Sequence, residues 1–575
     1  MPAQAHEPYG AQAWGSNKFG QLGDGTSTGP EECGVEKTPC HTTPGLVSEL
    51  SGVAAVAEGR GHSLALLENG AVMSWGENVF GQLGDGTTGT PQDLAVTVTG
   101  LSGVKGIAAG SAHSLALLGD GTVKAWGRNS QGQLGDGTNT DRDAPVSVCA
   151  PAPEPCPGSH LSGVAAVAAG ETFSLALLEN GTVVAWGSDE DGQLGNGSMG
   201  GKSEVPVPVS GLSAAIGIAA GESHALALLS GGTVKAWGFN KNGQLGDSSE
   251  ASTDLPVKVA KIGESTAPAT AVAAGAEHSL ARLSDGTVVA WGSNAAGQLG
   301  DGTSTGPEMC GLPPTAACAK TPVAVATLSG VSGIAAGKEG SLAVASGAVF
   351  AWGRNDLGQL GDSTSMGPEA CPNPCSTKPV QVKTPDVKGV GPGAMSEHRL
   401  AFGPTAPTVT RVSPSEPRKK GTTKVTITGT EFEEATEVKF GSAKASRVVV
   451  RENGTIIEAT APAGKGTVDV TVTTPAGTSA TGAADRFFYS RPTVKKLSPR
   501  KGPQPGGTTV TITGTHFSGV TAVKFGSTEA SSFKVKSETE IVAVSPAHAK
   551  GRVDVTVNSP NGMSLVSTKD RFRYA

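Results

Sequence analysis

A Trp-Gly pair recurs seven times along the first 400 residues, and this repetition restricts the possible folds more than any other feature. Each Trp-Gly is followed, six residues after the glycine, by Gln-Leu-Gly, and successive copies stand 51 to 61 residues apart. The tryptophans are Trp14, Trp75, Trp126, Trp186, Trp237, Trp291 and Trp352. A fixed motif at this period is typical of an array of similar supersecondary units packed side by side.

Each unit alternates short apolar runs with turn dipeptides. In residues 164–197, Asn180-Gly181 separates "FSLALL" from "VVAWG". Asn-Gly readily adopts the positive φ angles of a two-residue hairpin turn. A further strand precedes the first of these runs and another follows the Gln-Leu-Gly turn, which gives four antiparallel strands per unit. Seven such units predict an all-β fold, a seven-bladed β-propeller.

At each end of this region, one half of the repeat stands without the other half. The first Trp-Gly half, at Trp14, has no "HSLAL" run before it, and the last such run, "HRLAF" at residues 398–402, has no Trp-Gly half after it. We predict that these two half-repeats form a single blade. Such a blade closes the ring and pairs strands that would otherwise be open sheet edges.

The block AWG-x-N-x-x-GQLG-D/N-G, with AAG-x-x-HSLAL upstream, resembles the repeats of the regulator of chromosome condensation (RCC1) family over residues 10–403. The resemblance implies a seven-bladed propeller that acts mainly by binding other proteins. The eukaryotic prototype of that family is an exchange factor for a small GTPase, and a secreted bacterial member inhibits β-lactamases. The compact repeats of this chain are more similar to the secreted bacterial type.

A second, unrelated repeat fills the rest of the chain at a period of 85 residues. Both copies contain "VTITGT" and "VKFGS" and end in "DRFFY" or "DRFRY". Alternating strands with frequent Pro and Gly turns predict immunoglobulin-like sandwiches, and the pattern resembles IPT/TIG domains, which act as spacers or presenters. We therefore expect a propeller at residues 1–403 and Ig-like domains at residues 404–490 and 491–575.

The charge is distributed unevenly between these two regions. Residues 404–575 hold 24 Lys and Arg against 14 Asp and Glu, whereas residues 1–403 hold 20 against 37. An acidic propeller is a poor match for a phosphate backbone. The basic clusters "PRKK" (417–420) and "KKLSPRK" (495–501) carry no interleaved aromatic residues, so we do not expect a nucleic-acid partner.

The eight cysteines fall into four close pairs, each in a loop after a Gln-Leu-Gly turn. The pairs are Cys33 and Cys40, Cys149 and Cys156, Cys310 and Cys318, and Cys371 and Cys375. The loops that carry them lengthen the period from about 51 to about 60 residues. This usage favours local disulfides in an oxidising compartment. The competing interpretation is a metal site, to which only His41, beside Cys40, adds a ligand.

The predicted disulfides bear on where the protein works. Its first residues, "MPAQAHEPYGAQ", contain neither the basic nor the apolar segment of an export signal. We expect an extracellular or cell-surface protein whose signal segment is absent from this chain. No apolar run approaches the ~20 residues of a membrane helix, and we expect a monomer without a membrane span.

Candidate chemical groups give no catalytic pattern. Five histidines share one repeat position and suggest a ring of metal ligands, but Phe173 and Gly340 hold that position in the other two units. We interpret them as hydrogen-bonded strand-end residues fixed by the fold. They are His62, His113, His224, His278 and His398. The Asp-Gly-Thr turns lack the carboxylate spacing of a calcium loop, and we predict no cofactor, no metal and no catalytic residue.

Binding residues are expected where the repeats differ while the frame around them stays constant. The two residues before each Gly-Gln vary from copy to copy. On a closed ring, Leu357, Phe19 and Phe80 fall on three consecutive blades and form an apolar arc with Val79, faced across the ring by Glu190 and Asp191. An apolar arc in a charged surround is typical of a protein-binding site. The alternative is that these apolar side chains pack beneath the cysteine loops.

The leading interpretation is a non-enzymatic, secreted or cell-surface binding scaffold. Its propeller recognises a protein or surface ligand, and its Ig-like domains act as presenter or spacer. By family resemblance, an exchange factor for a small GTPase and a secreted inhibitor of the β-lactamase-inhibitor type are alternatives. A glycan-active enzyme is disfavoured because the chain shows no paired carboxylates and has only three tyrosines for sugar stacking.

Overall fold

Most of the chain is defined in a computed structural model. The structure describes residues 9–151, 158–264, 266–311, 315–371, 373–384, 387–404, 406–415, 423–432, 435–451, 454–464, 466–474, 477–489, 491–559 and 562–575. Cys156 and the basic cluster at 417–420 lie outside these ranges. Over the described ranges the chain folds into strands, turns and bends, and it forms no helix that could cross a bilayer.

The described residues of the propeller region form 31 strands. In chain order they are β1 (Tyr9–Ser16), β2 (Glu31–Cys33), β3 (Thr38–Leu46), β4 (Val53–Glu58), β5 (His62–Leu67), β6 (Val72–Gly76), β7 (Gln92–Thr97), β8 (Val104–Ala109), β9 (His113–Leu118), β10 (Val123–Gly127), β11 (Arg142–Ser147), β12 (Val164–Ala169), β13 (Phe173–Leu178), β14 (Val183–Ser188), β15 (Lys202–Pro208), β16 (Ala215–Ala220), β17 (His224–Leu229), β18 (Val234–Gly238), β19 (Thr253–Lys258), β20 (Ala269–Ala274), β21 (His278–Leu283), β22 (Val288–Ser293), β23 (Glu308–Cys310), β24 (Ala316–Ala324), β25 (Val331–Ala336), β26 (Gly340–Ala345), β27 (Ala348–Arg354), β28 (Glu369–Ala370), β29 (Pro374–Gln381), β30 (Gly389–Val390) and β31 (His398–Pro404).

These strands form seven antiparallel sheets, which we number as blades. Blade 1 has the order β2-β3-β1-β31-β30; blades 2 to 7 are β4–β7, β8–β11, β12–β15, β16–β19, β20–β24 and β25–β29. The predicted all-β, seven-bladed fold is confirmed. So is the shared blade, because β1 pairs with β31 and sets Trp14 opposite Arg399 and Gly15 opposite His398.

The repeated tryptophan joins each blade to the one before it. Every indole Nε1–H donates to the backbone carbonyl of the glutamine in the preceding Gln-Leu-Gly, at 2.8 to 3.0 Å. Trp75 of blade 2 bonds Gln21 of blade 1, and Trp14 of blade 1 bonds Gln359 of blade 7. The seven bonds therefore run through all the blades and return to the first.

The glycine of Gln-Leu-Gly is required by the same joint. At Gly84, φ is +68°, and a Cβ atom would lie 2.7 Å from Nε1 of Trp126 in the next blade. A side chain here would meet both backbone strain and a buried indole. The glycine at this position of the repeat is thus explained by a contact with the tryptophan of the next blade.

The repeated histidine makes a second joint. Each of the five imidazoles is fully buried, and its Nε2 lies 2.8 to 3.0 Å from a serine hydroxyl of the next blade, as in His62 to Ser114. Ser114 donates its own proton to the Gln82 carbonyl, so Nε2–H of His62 must donate to Ser114. The structural interpretation of these histidines is confirmed.

The two blades without this histidine carry matched changes in the next blade. Phe173 packs in one apolar cluster with Ala225, which replaces the serine. In the second case, Gly340 of blade 7 faces Arg399 of blade 1, which stands at the serine position. The Nη2 atom of Arg399 would lie 2.8 Å from a Cβ atom on Gly340. Each pair fills the same joint with a different combination of side chains.

The cysteine insertions fold as small hairpins at the outer edges of blades 1, 6 and 7. Disulfides join Cys33 to Cys40, Cys310 to Cys318, and Cys371 to Cys375. The first two cross between paired strands, β2 with β3 and β23 with β24. Cys149 is also disulfide-bonded, and its predicted partner, Cys156, lies outside the described residues.

The C-terminal region contains two sandwiches of the same design. Their strands are β32 (Thr408–Ser413), β33 (Lys424–Thr430), β34 (Glu437–Phe440), β35 (Ala443–Lys444), β36 (Ser446–Arg451), β37 (Ile456–Thr460), β38 (Thr467–Thr474), β39 (Gly477–Thr478), β40 (Arg486–Phe488), β41 (Thr493–Ser498), β42 (Lys501–Gly502), β43 (Thr509–Thr515), β44 (Ala522–Phe525), β45 (Thr528–Glu529), β46 (Ser532–Ser537), β47 (Glu540–Val544), β48 (Gly551–Ser559), β49 (Gly562–Met563) and β50 (Arg571–Tyr574). Edge-to-face phenylalanine pairs, Phe440 with Phe487 and Phe525 with Phe572, lie in the two cores.

Candidate functional site

The loop after each Trp-Gly strand holds its variable residues in a fixed frame. In blade 1, the Gln21 side chain accepts the backbone N–H of Phe19 at 2.8 Å, and Asn17 accepts that of Leu22 at 3.1 Å. The glutamine bond recurs in all seven blades. Because the frame bonds only the backbone of the variable residue, its side chain is free to differ between blades.

Phe19 and Phe80, on blades 1 and 2, line one cleft of about 520 Å³ that also reaches residues of blades 7 and 3. Both rings are half-buried, and each has a cation near it. Lys18 Nζ lies 5.6 Å from the centroid of the Phe19 ring, and the Arg128 guanidinium lies 5.1 Å from that of Phe80. An aromatic ring with a neighbouring cation can contact both apolar and acidic groups of a partner.

Leu357 lines the same cleft but differs from its expected exposed position. It is 9% exposed and packs against the Cys33–Cys40 disulfide. This is the arrangement of the alternative interpretation, in which the side chain packs beneath a cysteine loop. The hairpin covers Leu357 because β2 and β3 extend the sheet of blade 1 beside blade 7, a contact that only ring closure creates.

The other predicted residues do not line this cleft. Val79 is 53% exposed, and it is not among the residues that line the cleft. Glu190 is exposed and Asp191 half-buried; burial, and then the charge of Glu190, raise the pKa of Asp191. Burial, and then the charges of Glu171 and Glu277, raise the pKa of Glu222, to which Asp191 adds a smaller contribution. Glu190 and Asp191 therefore belong to a separate acidic region.

The cleft also contains charged residues that the sequence analysis missed. Arg60 and Glu77 line it beside Phe19. Burial raises the pKa of Glu77, and the charges of Arg60 and Lys18 oppose that rise. Arg60 stands two residues before a repeated histidine, at a position that also varies among the copies. That variation was a signal that could have identified it.

Metal-ligating side chains come together at one place among the described residues. Ligand atoms of Glu31, Cys33 and Cys40 lie within 4.8 Å of one another. Both sulfurs are joined in a disulfide, so they offer no thiolate to a metal. His41, the additional ligand considered from the sequence, pairs instead with Asp24 at 2.9 Å.

Comparisons with known proteins agree with this architecture. A model of the RCC1-like domain matches residues 10–395, and the IPT/TIG domain matches residues 407–489 and 492–574. The human E3 ubiquitin-protein ligase HERC2 is 32% identical over 47% of this chain, but the match spans only 6% of HERC2. The ultraviolet-B receptor UVR8 of Arabidopsis thaliana is 31% identical over 62% of this chain and 75% of its own length.

A solved structure extends the similarity to three dimensions. The crystal structure of Prp20p from Saccharomyces cerevisiae, described with its binding properties to Gsp1p and histones, superposes with a TM-score of 0.57. It is 26% identical to this chain, of which it covers 69%, and the match spans 92% of Prp20p. With seven tryptophan-linked blades, followed in the sequence by two sandwiches, this chain belongs to the RCC1-like family and carries two IPT/TIG domains.

Proposed function

We propose that this chain is a non-enzymatic binding scaffold of the cell surface or extracellular space. Its propeller recognises a protein partner, and its two IPT/TIG domains present the propeller to that partner. The observation that carries the proposal is the cleft centred on the loops of blades 1 and 2, where Phe19 and Phe80 stand half-exposed, Phe19 beside Lys18 and Phe80 beside Arg128 of blade 3.

The cleft has features of a protein-binding hot spot. Aromatic and arginine side chains supply most of the binding energy at such interfaces, provided that they are held in place before binding. The glutamine and asparagine bonds of the frame hold the backbone at Phe19 and Phe80. The RCC1-like relatives support a binding or regulatory role in general, and Prp20p is described with protein partners.

The disulfides support the extracellular part of the proposal. Three pairs are joined among the described cysteines, and each closes a short hairpin. Structural disulfides persist in oxidising compartments and are rare in the cytosol. A bacterial origin, which was predicted from the compactness of the repeats, stays a prediction.

A capture experiment tests the proposal. The full chain is immobilised, exposed to surface and secreted proteins of its own organism, and the captured protein is identified and titrated. Phe19→Ala with Phe80→Ala should weaken its affinity at least ~100-fold, because each truncation at a hot spot costs about 2 kcal/mol or more. The matched control is Asn242→Ala, at the same repeat position of blade 5 and with the same backbone bond; it should change affinity less than ~3-fold.

The cleft is not the binding site if the phenylalanine variant binds the partner as tightly as the wild type, or if the Asn242→Ala control loses as much affinity as the phenylalanine variant.

Two activity assays distinguish the alternative functions. Accelerated nucleotide release from a small GTPase would support the exchange factor, and inhibition of a β-lactamase would support the inhibitor. If one of these activities is found, and is lost when Phe19 and Phe80 are changed to Ala, that activity would replace the proposed scaffold function.

A further inference from the structure

A row of cations crosses one sheet of the second sandwich. Arg573 on β50 lies opposite Arg552 on β48 and opposite Lys501 on β42. All three side chains are exposed, whereas Phe572 and Tyr574, on either side of Arg573, are buried. Directly opposed residues of neighbouring strands point to the same face of a sheet, so the row lies on the outer face.

Two more arginines extend this row into a basic pocket. Arg500 and Arg571 line a concave surface of about 410 Å³ together with the row. Arg571 lies 3.6 Å from Asp554, and Arg500 donates to the carbonyl of Thr568. Within the described part of the chain, Arg500, Lys501, Arg552 and Arg573 have no acidic group within 4 Å. The row therefore holds like charges directly opposite one another, while Asp554, the acid on the same face, pairs with Arg571. Like charges opposed in this way are unfavourable for an empty surface.

The first sandwich shows that the fold itself does not need these cations. At the positions 85 residues earlier, Arg500, Arg552 and Arg573 correspond to Ser415, Thr467 and Phe488. Thr467 lies opposite Phe488 in the same register in which Arg552 lies opposite Arg573. The row is thus specific to the second copy.

The charge balance of the two copies gives the same contrast. Residues 491–575 hold 13 Lys and Arg against 5 Asp and Glu, whereas residues 404–490 hold 11 against 9. Most of the positive charge of the C-terminal region therefore belongs to the domain that carries the row. A surplus of this size on one small domain attracts anionic polymers.

We propose that this basic pocket binds an anionic polysaccharide through the sulfate or carboxylate groups along its chain. The guanidinium group matches such oxyanions with two parallel hydrogen bonds. Strand neighbours about 5 Å apart offer several cations to one polymer. A single-stranded nucleic acid would need exposed aromatic side chains for its bases to stack on, and the aromatic residues beside the row, Phe572 and Tyr574, are fully buried.

Heparin is a suitable probe, and the full chain is the protein to test. The wild type should bind immobilised heparin at about 0.15 M salt and should not bind neutral dextran. The test variant combines Arg552→Thr with Arg573→Thr. Threonine is chosen because the first copy has Thr467 at the position of Arg552. We expect this variant to bind heparin at least ~10-fold more weakly.

The control removes the same charge from the other sheet of the same domain. Lys534 and Lys536 are exposed on β46, and changing both to Gln should alter affinity less than ~2-fold. Circular dichroism and the melting temperature check that each variant folds. Lys501→Gln is a milder second variant that should also weaken binding.

Several outcomes would overturn the proposal. These are the absence of heparin binding by the wild type, an equal loss in the Lys534 and Lys536 control, and tighter binding of single-stranded DNA or of phosphatidylserine vesicles than of heparin. The last two ligands would assign the pocket to a nucleic acid or a membrane instead.

Discussion

Acid should destabilise the propeller, because its repeated histidines are buried without charge. Burial lowers the pKa of each of the five from 6.5 to about 3. Below pH 6.5 the unfolded chain binds protons at these positions, whereas the folded propeller does not bind them until about pH 3. Their contribution to stability is therefore complete above pH 6.5 and is lost as the pH falls toward 3.

The size of the effect follows from the two pKa values. Between pH 7 and pH 5, each histidine removes about 2 kcal/mol from the free energy of unfolding, and five remove about 10 kcal/mol. Glu58 acts in the opposite direction, since burial raises its pKa to about 8 despite the charge of Arg399. A carboxyl with a raised pKa stabilises the fold more as the pH falls, here by about 2 to 3 kcal/mol. Together these six groups give a net loss of about 7 kcal/mol, which is comparable to the whole stability of many domains. Burial also raises the pKa values of Glu77, Glu222 and Glu277, and each of these carboxyls reduces the loss in the same way as Glu58.

The chain supplies a matched variant that isolates one histidine. His113→Phe with Ser174→Ala copies into blades 3 and 4 the pair that Phe173 and Ala225 form naturally in blades 4 and 5. A Cβ atom on Gly110 would lie 2.2 Å from the His113 ring, and one on Gly170 would lie 2.1 Å from the Phe173 ring. The two rings therefore occupy equivalent spaces, and the phenylalanine should fit.

Urea unfolding at pH 7 and at pH 5, followed by tryptophan fluorescence, measures the effect. All seven tryptophans lie in the propeller and are buried, so the signal does not report on the sandwiches. The double variant should lose about 2 kcal/mol less than the wild type between the two pH values. An equal loss in both proteins, or a wild type as stable at pH 5 as at pH 7, would refute the reasoning.

Two further predictions concern the joints of the ring, and a third concerns the cysteines. Arg399→Ser should lower the free energy of unfolding by about 3 kcal/mol, because it leaves a buried cavity and removes hydrogen bonds to two carbonyls. Adding Gly340→His should restore part of this loss by recreating the His–Ser joint. Thermal melts that show no recovery would contradict the pairing. Gly84→Ala should lower the free energy of unfolding by about 3 kcal/mol through backbone strain and contact with Trp126. In the control Gly86→Ala, φ is +85° and nothing lies within 4 Å of the Cβ position, so only the backbone strain of about 1 to 2 kcal/mol is expected. Equal melting temperatures of the two variants would contradict the contact with Trp126. Thiol titration in denaturant should find no free thiol before reduction and eight after it, and free thiols in the purified protein would argue against the disulfides.

Much of the fold could be predicted because a repeat makes each local signal appear seven times. The turn at Asn180-Gly181 and the strands beside it follow from local backbone preferences. The shared blade followed from counting half-repeats, since "HRLAF" near residue 400 and the first Trp-Gly had no other partners. The structural interpretation of His62 and its equivalents was also accessible, because a metal ring is incompatible with Phe173 and Gly340.

The candidate site could be predicted only in part, because it depends on contacts between blades. Variation before Gly-Gln directed attention to Phe19 and Phe80, which share one cleft. The same variation predicts that Leu357 is exposed. This prediction is wrong, because the Cys33–Cys40 hairpin of the neighbouring blade covers Leu357. Whether these residues bind a partner stays a prediction.

By itself, the sequence determined the number of blades, the place of the seam and the pairing of the cysteines whose structure is described. These features depend on local strand and turn preferences, on periodicity and on short loops. Only the tertiary structure decided that Phe173 is matched by Ala225 and Gly340 by Arg399, and that Lys501, Arg552 and Arg573 form one row. Residues that are distant in the sequence meet there through side-chain packing and strand register, and neither is encoded in any single segment of the chain.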